Sequence, residues 1–321
     1  MRRALLTALL GASALAILTG CSAAGGGVES DSRATVYVSL PLSGSGAADG
    51  HDVVLGAKLA LADAGGRAGE LPVKARYLDD TPGSGATPNW SPAQAAENAR
   101  RAVEDSTAIA YLGDFDSGAT RSSLPITNEA DLLQVSPSST AVDLVQPFAG
   151  SDDVPEAQPS GDRTFGRVIP DDEALTSARR AWAKKLGTKR IGALYPGDDA
   201  ASLARGGDRF AVSAAQDPSQ LPSSGQNFAH EYQKRYGRTP GPYSAYGYEA
   251  MSVILDSIDR AGDEGDQRQA VIDSFFDTTN RRSVLGTYSI DQVGDTTLGQ
   301  LAGYRVSSVG KLRFDRPLRA P

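Results

Sequence analysis

The stretch YLGDFDSGAT, residues 111 to 120, places Asp114, Asp116 and Ser117 between two glycines at the end of an apolar run. Carboxylates and a hydroxyl in such a loop suit metal ligation, activation of a nucleophile or a grip on a small ligand. The rest of the chain narrows these options. Its two histidines, His51 and His230, lie far apart and not at metal-ligand spacing. No G-x-S-x-G elbow, phosphate loop or H-E-x-x-H pair occurs. The glycines of GSGAADG (44–50) fall at the wrong spacing for a dinucleotide, with Asp49 in the third glycine's place. The carboxylate pairs Asp79-Asp80, Asp152-Asp153 and Asp171-Asp172 read as loop or helix-cap residues, and Tyr243, Tyr246 and Tyr248 as packing near a helix start. We expect no metal site, no cofactor and no catalytic constellation. A capping turn and a ligand clasp remain for the loop, and the two are compatible.

The elements around the loop alternate. TVYVSL (35–40), LPVKARYLDD, AIAYLG (108–113) and LLQVSP (132–137) read as strands. Between them lie helical patterns: HDVVLGAKLALADAGG, then SPAQAAENARRAVEDS with Ser91 as N-cap and Pro92 in the first turn, then a helix from about Ser117 to Ala130. This order predicts a parallel sheet covered on both faces, with ligands held at loops beyond the carboxyl ends of its strands. GDFDSGAT and SPSST are two such loops. A second α/β unit is expected from a strand at 164–169, a helix with Leu175, Ala178, Trp182 and Leu186 on its apolar stripe, and the strand RIGALYP. Helices at 224–237, 243–261 and 267–276 follow, then strands VLGTYSI, LAGYRV and KLRF, the last two a hairpin around SSVG.

The N-terminus speaks to location. Arg2 and Arg3 precede an apolar run from Ala4 to Leu18, shorter than the about 20 residues of a spanning helix. It reads as an export signal, residues 1–20. The ending LTGC looks like a bacterial lipobox, which makes Cys21, the chain's single cysteine, the lipidation site. Residues 21–33, small and polar, form a flexible tether. The expected location is extracytoplasmic, anchored to the cell membrane by lipidated Cys21. With 32 basic residues against 39 acidic ones and a formal net charge of −7, the chain lacks the basic footprint of a nucleic-acid binder.

The sequence resembles the type I periplasmic binding proteins, specifically the substrate-binding lipoproteins of branched-chain amino-acid (leucine/isoleucine/valine) ABC transporters. The resemblance rests on VYVSLPLSGSGAADGHDVVLGAKLALADAGG, YLGDFDSGATRSSLPITNEADLLQVSPSSTAVDL, GPYSAYGYEAMSVILDSIDRAG and the terminal RRSVLGTYSIDQVGDTT. It implies an α/β fold of two lobes, each a doubly wound parallel sheet, closing over a ligand. Lobe one would take residues 34–162 and 213–295, and lobe two 163–212 and 296–321. It also implies a solute-binding protein, not an enzyme, that delivers an amino-acid-like molecule to a membrane permease. A sensor module or a paralogue without ligand is the alternative.

Matched to the family, Ser117, Ser138, Ser139 and Thr140 fall on the residues that hold the ligand's α-amino and α-carboxylate groups, and the loops of Ser117 and Thr140 are expected to face solvent. Two departures stand out. The family's aromatic residue after the first strand is missing, with Ala48 and Asp49 in its region. The second lobe is short: RGG (205–207) joins IGALYPGDDAASLA almost directly to FAVSAAQDP. The family's acidic partner for the ligand ammonium is thereby lost, and Asp116, Asp198 or Asp199 are its candidate substitutes. The short lobe is expected to be the less stable unit.

Overall fold

The computed structural model describes residues 33–81, 90–146, 155–198 and 200–320. The signal segment, Cys21, nearly all of the tether, Asp152-Asp153 and Asp199 lie outside the described residues. A six-stranded sheet is built from β1 (Ala34–Leu40), β2 (Arg67–Ala68), β3 (Leu71–Asp79), β4 (Ala108–Gly113), β5 (Leu133–Ser136) and β6 (Phe165–Arg167), in the order β2-β3-β1-β4-β5-β6. All pairings except β2 with β3 are parallel. The central strand β1 is buried throughout, and its alternation feeds two layers. Val36, Val38 and Leu40 join the core on one face, while Tyr37 packs with Ala99, Ala102 and Tyr111 on the other. Helices α1 (Ala47–Asp63), α2 (Pro92–Glu104) and α3 (Ser117–Glu129) cover these faces. Ser91 caps α2 by accepting the Gln94 N–H, as its sequence position implies.

The chain then runs through α4 (Asp172–Leu186), β7 (Gly192–Leu194), α5 (Ala200–Arg205) and β8 (Phe210–Ser213). It returns along the first sheet as α6 (Ser223–Tyr236), α7 (Ser244–Arg260) and α8 (Arg268–Phe276), and after β9 (Arg281–Arg282) and β10 (Thr287–Tyr288) it closes with β11 (Gln300–Val306) and β12 (Leu312–Arg319). The second sheet has the order β12-β11-β8-β7. Leu175, Ala178 and Trp182 of α4 are buried, as their spacing predicts. One apolar cluster includes Val36 and Val38 of the first sheet together with Trp182, Val212 and Leu301 around the second.

Three expectations are corrected. The strand at 164–169 does not belong to the second lobe: β6 pairs with β5, Gln134 opposite Phe165, at the edge of the first sheet. Phe165 is held there by Leu124, Leu144 and Val145, and fully buried Arg167 donates to the Ala141 carbonyl at 2.7 Å and to Asp295 at 2.5 Å. The second sheet is mixed, because only β7 with β8 is parallel while β11 pairs antiparallel with both β8 and β12. VLGTYSI supplies only the two-residue β10, paired with β9.

The segment before β11 is tied to β6 as well. Arg167 N–H donates to the Gly294 carbonyl at 3.0 Å. Gly294 has φ +99°, and a Cβ there would lie 2.1 Å from the Phe165 carbonyl oxygen, so only glycine fits this approach.

Candidate ligand-binding site

The YLGDFDSGAT loop turns at Gly113. Its φ is +147°, and a Cβ would stand 2.5 Å from the Ser39 carbonyl oxygen; glycine is what lets the end of β4 lie against β1. Asp114 then turns into the protein. It is fully buried, with Tyr111 donating to Oδ1 at 3.1 Å and Ser123 donating to Oδ2. Asp116 caps α3 by accepting the Gly118 N–H at 2.9 Å, so the capping role is real.

The loop after β5 is stitched to this one. Ser138 donates to the Phe115 carbonyl at 2.7 Å, and Ser139 to the Asp114 carbonyl at 3.2 Å. Ser117 Oγ accepts from Thr140 N–H at 3.1 Å and from Ala141 N–H at 3.2 Å. Thr140 is 3% exposed, which corrects the expectation that its loop faces solvent, while Ser117 is half-buried; Ser138 and Ser139 are buried as well. The structure brings Ser117 and Thr140 together, but the hydroxyls of Ser138 and Ser139 are spent on holding the two loops. Their partners are backbone carbonyls of a loop distant in sequence, and buried hydroxyls take such partners where no water can serve.

Asp80, read from the sequence as a loop carboxylate, is buried beneath these loops. It is 0% exposed and neither carboxylate oxygen has a hydrogen-bond partner. Burial, reinforced by the charges of Asp114, Asp79 and Asp116, pushes its carboxyl up to about 9. Asp114 is pushed up to about 6, first by burial and against the hydrogen bonds it accepts. Neighbouring Asp79 behaves as the loop residue expected, accepting the N–H groups of Leu42 and Thr81 at 2.9 and 3.1 Å. Asp171 is the N-cap of α4.

A cavity of about 320 Å³ opens at the ends of β7 and β8. Asp49 reaches it from the first turn of α1, Asp198 from the loop after β7 and Asp217 from the loop after β8. Tyr195, Tyr243 and Tyr304 line it too, together with Ser213 and the apolar Leu194, Pro218, Pro242 and Leu312. Tyr243 packs edge-on against Phe115 at 5.0 Å, which joins the cavity wall to the YLGDFDSGAT loop. It fulfils the expected packing role and lines the cavity as well. Burial, then the charge of Asp52, raises the Asp49 carboxyl, while the Gly197 N–H it accepts lowers it. Burial raises Asp116 too; Gly118 and Arg121 oppose this, and the charge of Asp198 adds to it. Of the candidate ammonium partners, Asp198 lines the cavity and Asp116 does not. The lining residues span positions 49 to 312, so no local motif announces the cavity. Among the described residues no group of three or more metal-ligating side chains occurs.

No protein-family model and no curated protein matches the sequence. Solved structures do match the fold. A leucine-binding protein LivK from Thermotoga maritima superposes with a TM-score of 0.71 at 19% identity, covering 89% of this chain and 99% of its own. The branched-chain amino-acid transporter substrate-binding protein LivJ from Streptococcus pneumoniae, solved with isoleucine, gives 0.69 at 15%, covering 90% and 100%. A solute-binding protein of an ABC transporter from Rhodopseudomonas palustris, solved with benzoate, gives 0.70 at 13%, covering 90% and 97%. At these identities the likeness is one of architecture: the chain shares the α/β fold of these substrate-binding proteins.

Proposed function

We propose that this protein is an extracytoplasmic solute-binding protein. It captures a small molecule between its two sheets and presents it to an ABC-type permease, with lipidated Cys21 as its anchor. The observation that carries this reading is the cavity at the carboxyl ends of β7 and β8, walled by side chains from α1, the start of α7 and the second sheet. Its volume, about 320 Å³, falls in the range of ligand pockets, roughly 300–1,000 Å³. The structural relatives support the same role, since LivJ was solved with isoleucine and the R. palustris protein with benzoate.

In this reading Asp49 and Tyr243 form the lobe-one side of the cavity, while Ser117, Ser138, Ser139, Thr140 and Asp116 are not among its lining residues and hold the neighbouring loops together. One observation favours a variant of it, in which the amino-acid grip has been lost: Ser117 Oγ already occupies the Thr140 and Ala141 amides. Thermal denaturation in the presence of amino acids, aromatic acids and amines tests the proposal. A ligand at 100 times its Kd adds about 2.7 kcal/mol of stability. No shift with any of these solutes refutes the solute-binding reading.

A further inference from the structure

The cavity lining has one electrostatic sign. Its carboxylates, Asp49, Asp198 and Asp217, come from three separate elements, and its rings are Tyr195, Tyr243 and Tyr304. Among the described lining residues none is basic. One ring is tied to a carboxylate, Tyr304 donating through its hydroxyl to Asp217 Oδ2 at 3.2 Å, while Asp198 Oδ2 accepts the main-chain N–H of Tyr195 at 2.9 Å. Aromatic faces and carboxylates both attract a cation, and more strongly once water is excluded. The Thr140 and Ala141 amides lie outside this lining and already donate to Ser117, so they offer the cavity no grip on a ligand carboxylate.

We infer that the cavity binds an organic cation, an amine or quaternary ammonium, and that this ligand needs no carboxylate. The charged group lies among Asp49, Asp198 and Asp217 against the tyrosine rings. The inference rests on the solute-binding reading and names the ligand class within it.

Isothermal calorimetry of the full chain with choline, putrescine, leucine, benzoate and the uncharged carbon isostere of choline tests it. Choline or putrescine should bind, and the isostere should bind at least about tenfold more weakly than choline, the range of a desolvated cation–ring contact. Asp198→Asn keeps an acceptor for the Tyr195 N–H while removing the charge, and should weaken cation binding by about tenfold. Tyr195 is 40% exposed, so its variants should keep the wild-type melting temperature; Tyr195→Phe should retain binding and Tyr195→Leu should lose it several-fold. Equal binding of choline and its isostere, or cation binding indifferent to Asp198→Asn, overturns the inference. Binding of leucine or benzoate with no binding of either cation overturns it while leaving the solute-binding reading intact. Failure of every solute overturns both.

Discussion

Replacing Asp80 by asparagine should stabilise the protein at neutral pH and not in acid. Asp80 is fully buried without a partner, and its carboxyl is pushed from its ordinary 3.8 up to about 9. A folded-state value above the unfolded one means that the native protein binds an extra proton. The associated stability is fully present below 3.8 and is lost as pH rises toward about 9. At about 1.36 kcal/mol per pH unit, the loss relative to the acid limit reaches about 4 kcal/mol near pH 7. Part of the shift comes from the charge of Asp114, whose own carboxyl is pushed up to about 6, so 4 is an upper figure. The amide of Asp80→Asn does not ionise, but its buried hydrogens cost about 1–3 kcal/mol if they stay unpaired. The net gain should therefore be about 1–3 kcal/mol near pH 7 and zero or negative near pH 4. Urea denaturation of both proteins at several pH values measures it. A difference that stays constant from about pH 5 to about pH 8 would refute the claim that Asp80 holds a proton in the folded state.

Other expectations are simpler. Ser117→Ala removes the acceptor of two backbone amides, so it should lower stability by about 1–3 kcal/mol in denaturant titration, besides any effect on ligand affinity. Gly113→Ala forces a Cβ to 2.5 Å from the Ser39 oxygen at φ +147° and should cost at least about 3 kcal/mol, visible as a reduced melting temperature or loss of soluble protein. Cys21→Ser should abolish metabolic labelling by palmitate and release the protein from the membrane fraction. Labelling that persists in this variant would move the anchor elsewhere.

Much of the first sheet was legible in the sequence. The helix expected from Ser117 to Ala130 is observed as Ser117–Glu129, because cap, length and apolar spacing agree there. β6 was misplaced because three residues, FGR, carry no periodicity that identifies a partner, and its sheet is chosen by Phe165 and Arg167 finding buried neighbours. The site divides the same way. The loops with Ser117 and Thr140 could be read, since they follow recognisable strands. The inward turn of Ser138 and Ser139 could not, because distant carbonyls decide it. Asp80 looked like a loop carboxylate. Its burial depends on tertiary packing, and no pattern in DDTPG encodes it.

The tie between Arg167 and Asp295 has a mechanical consequence. The chain leaves the first sheet through β6 and reaches β11 through the segment after Asp295, and these two crossings are riveted by that ion pair and by the Arg167–Gly294 hydrogen bond. The crossing after β8 is pinned separately, where Gln216 N–H donates to the Tyr246 hydroxyl and its side chain to the Leu285 carbonyl. Strands fixed at three bearings resist sliding and leave rotation as the soft coordinate. Any widening of the gap between the sheets would turn about this axle, moving the Asp198 end of the cavity while the pivot stays still.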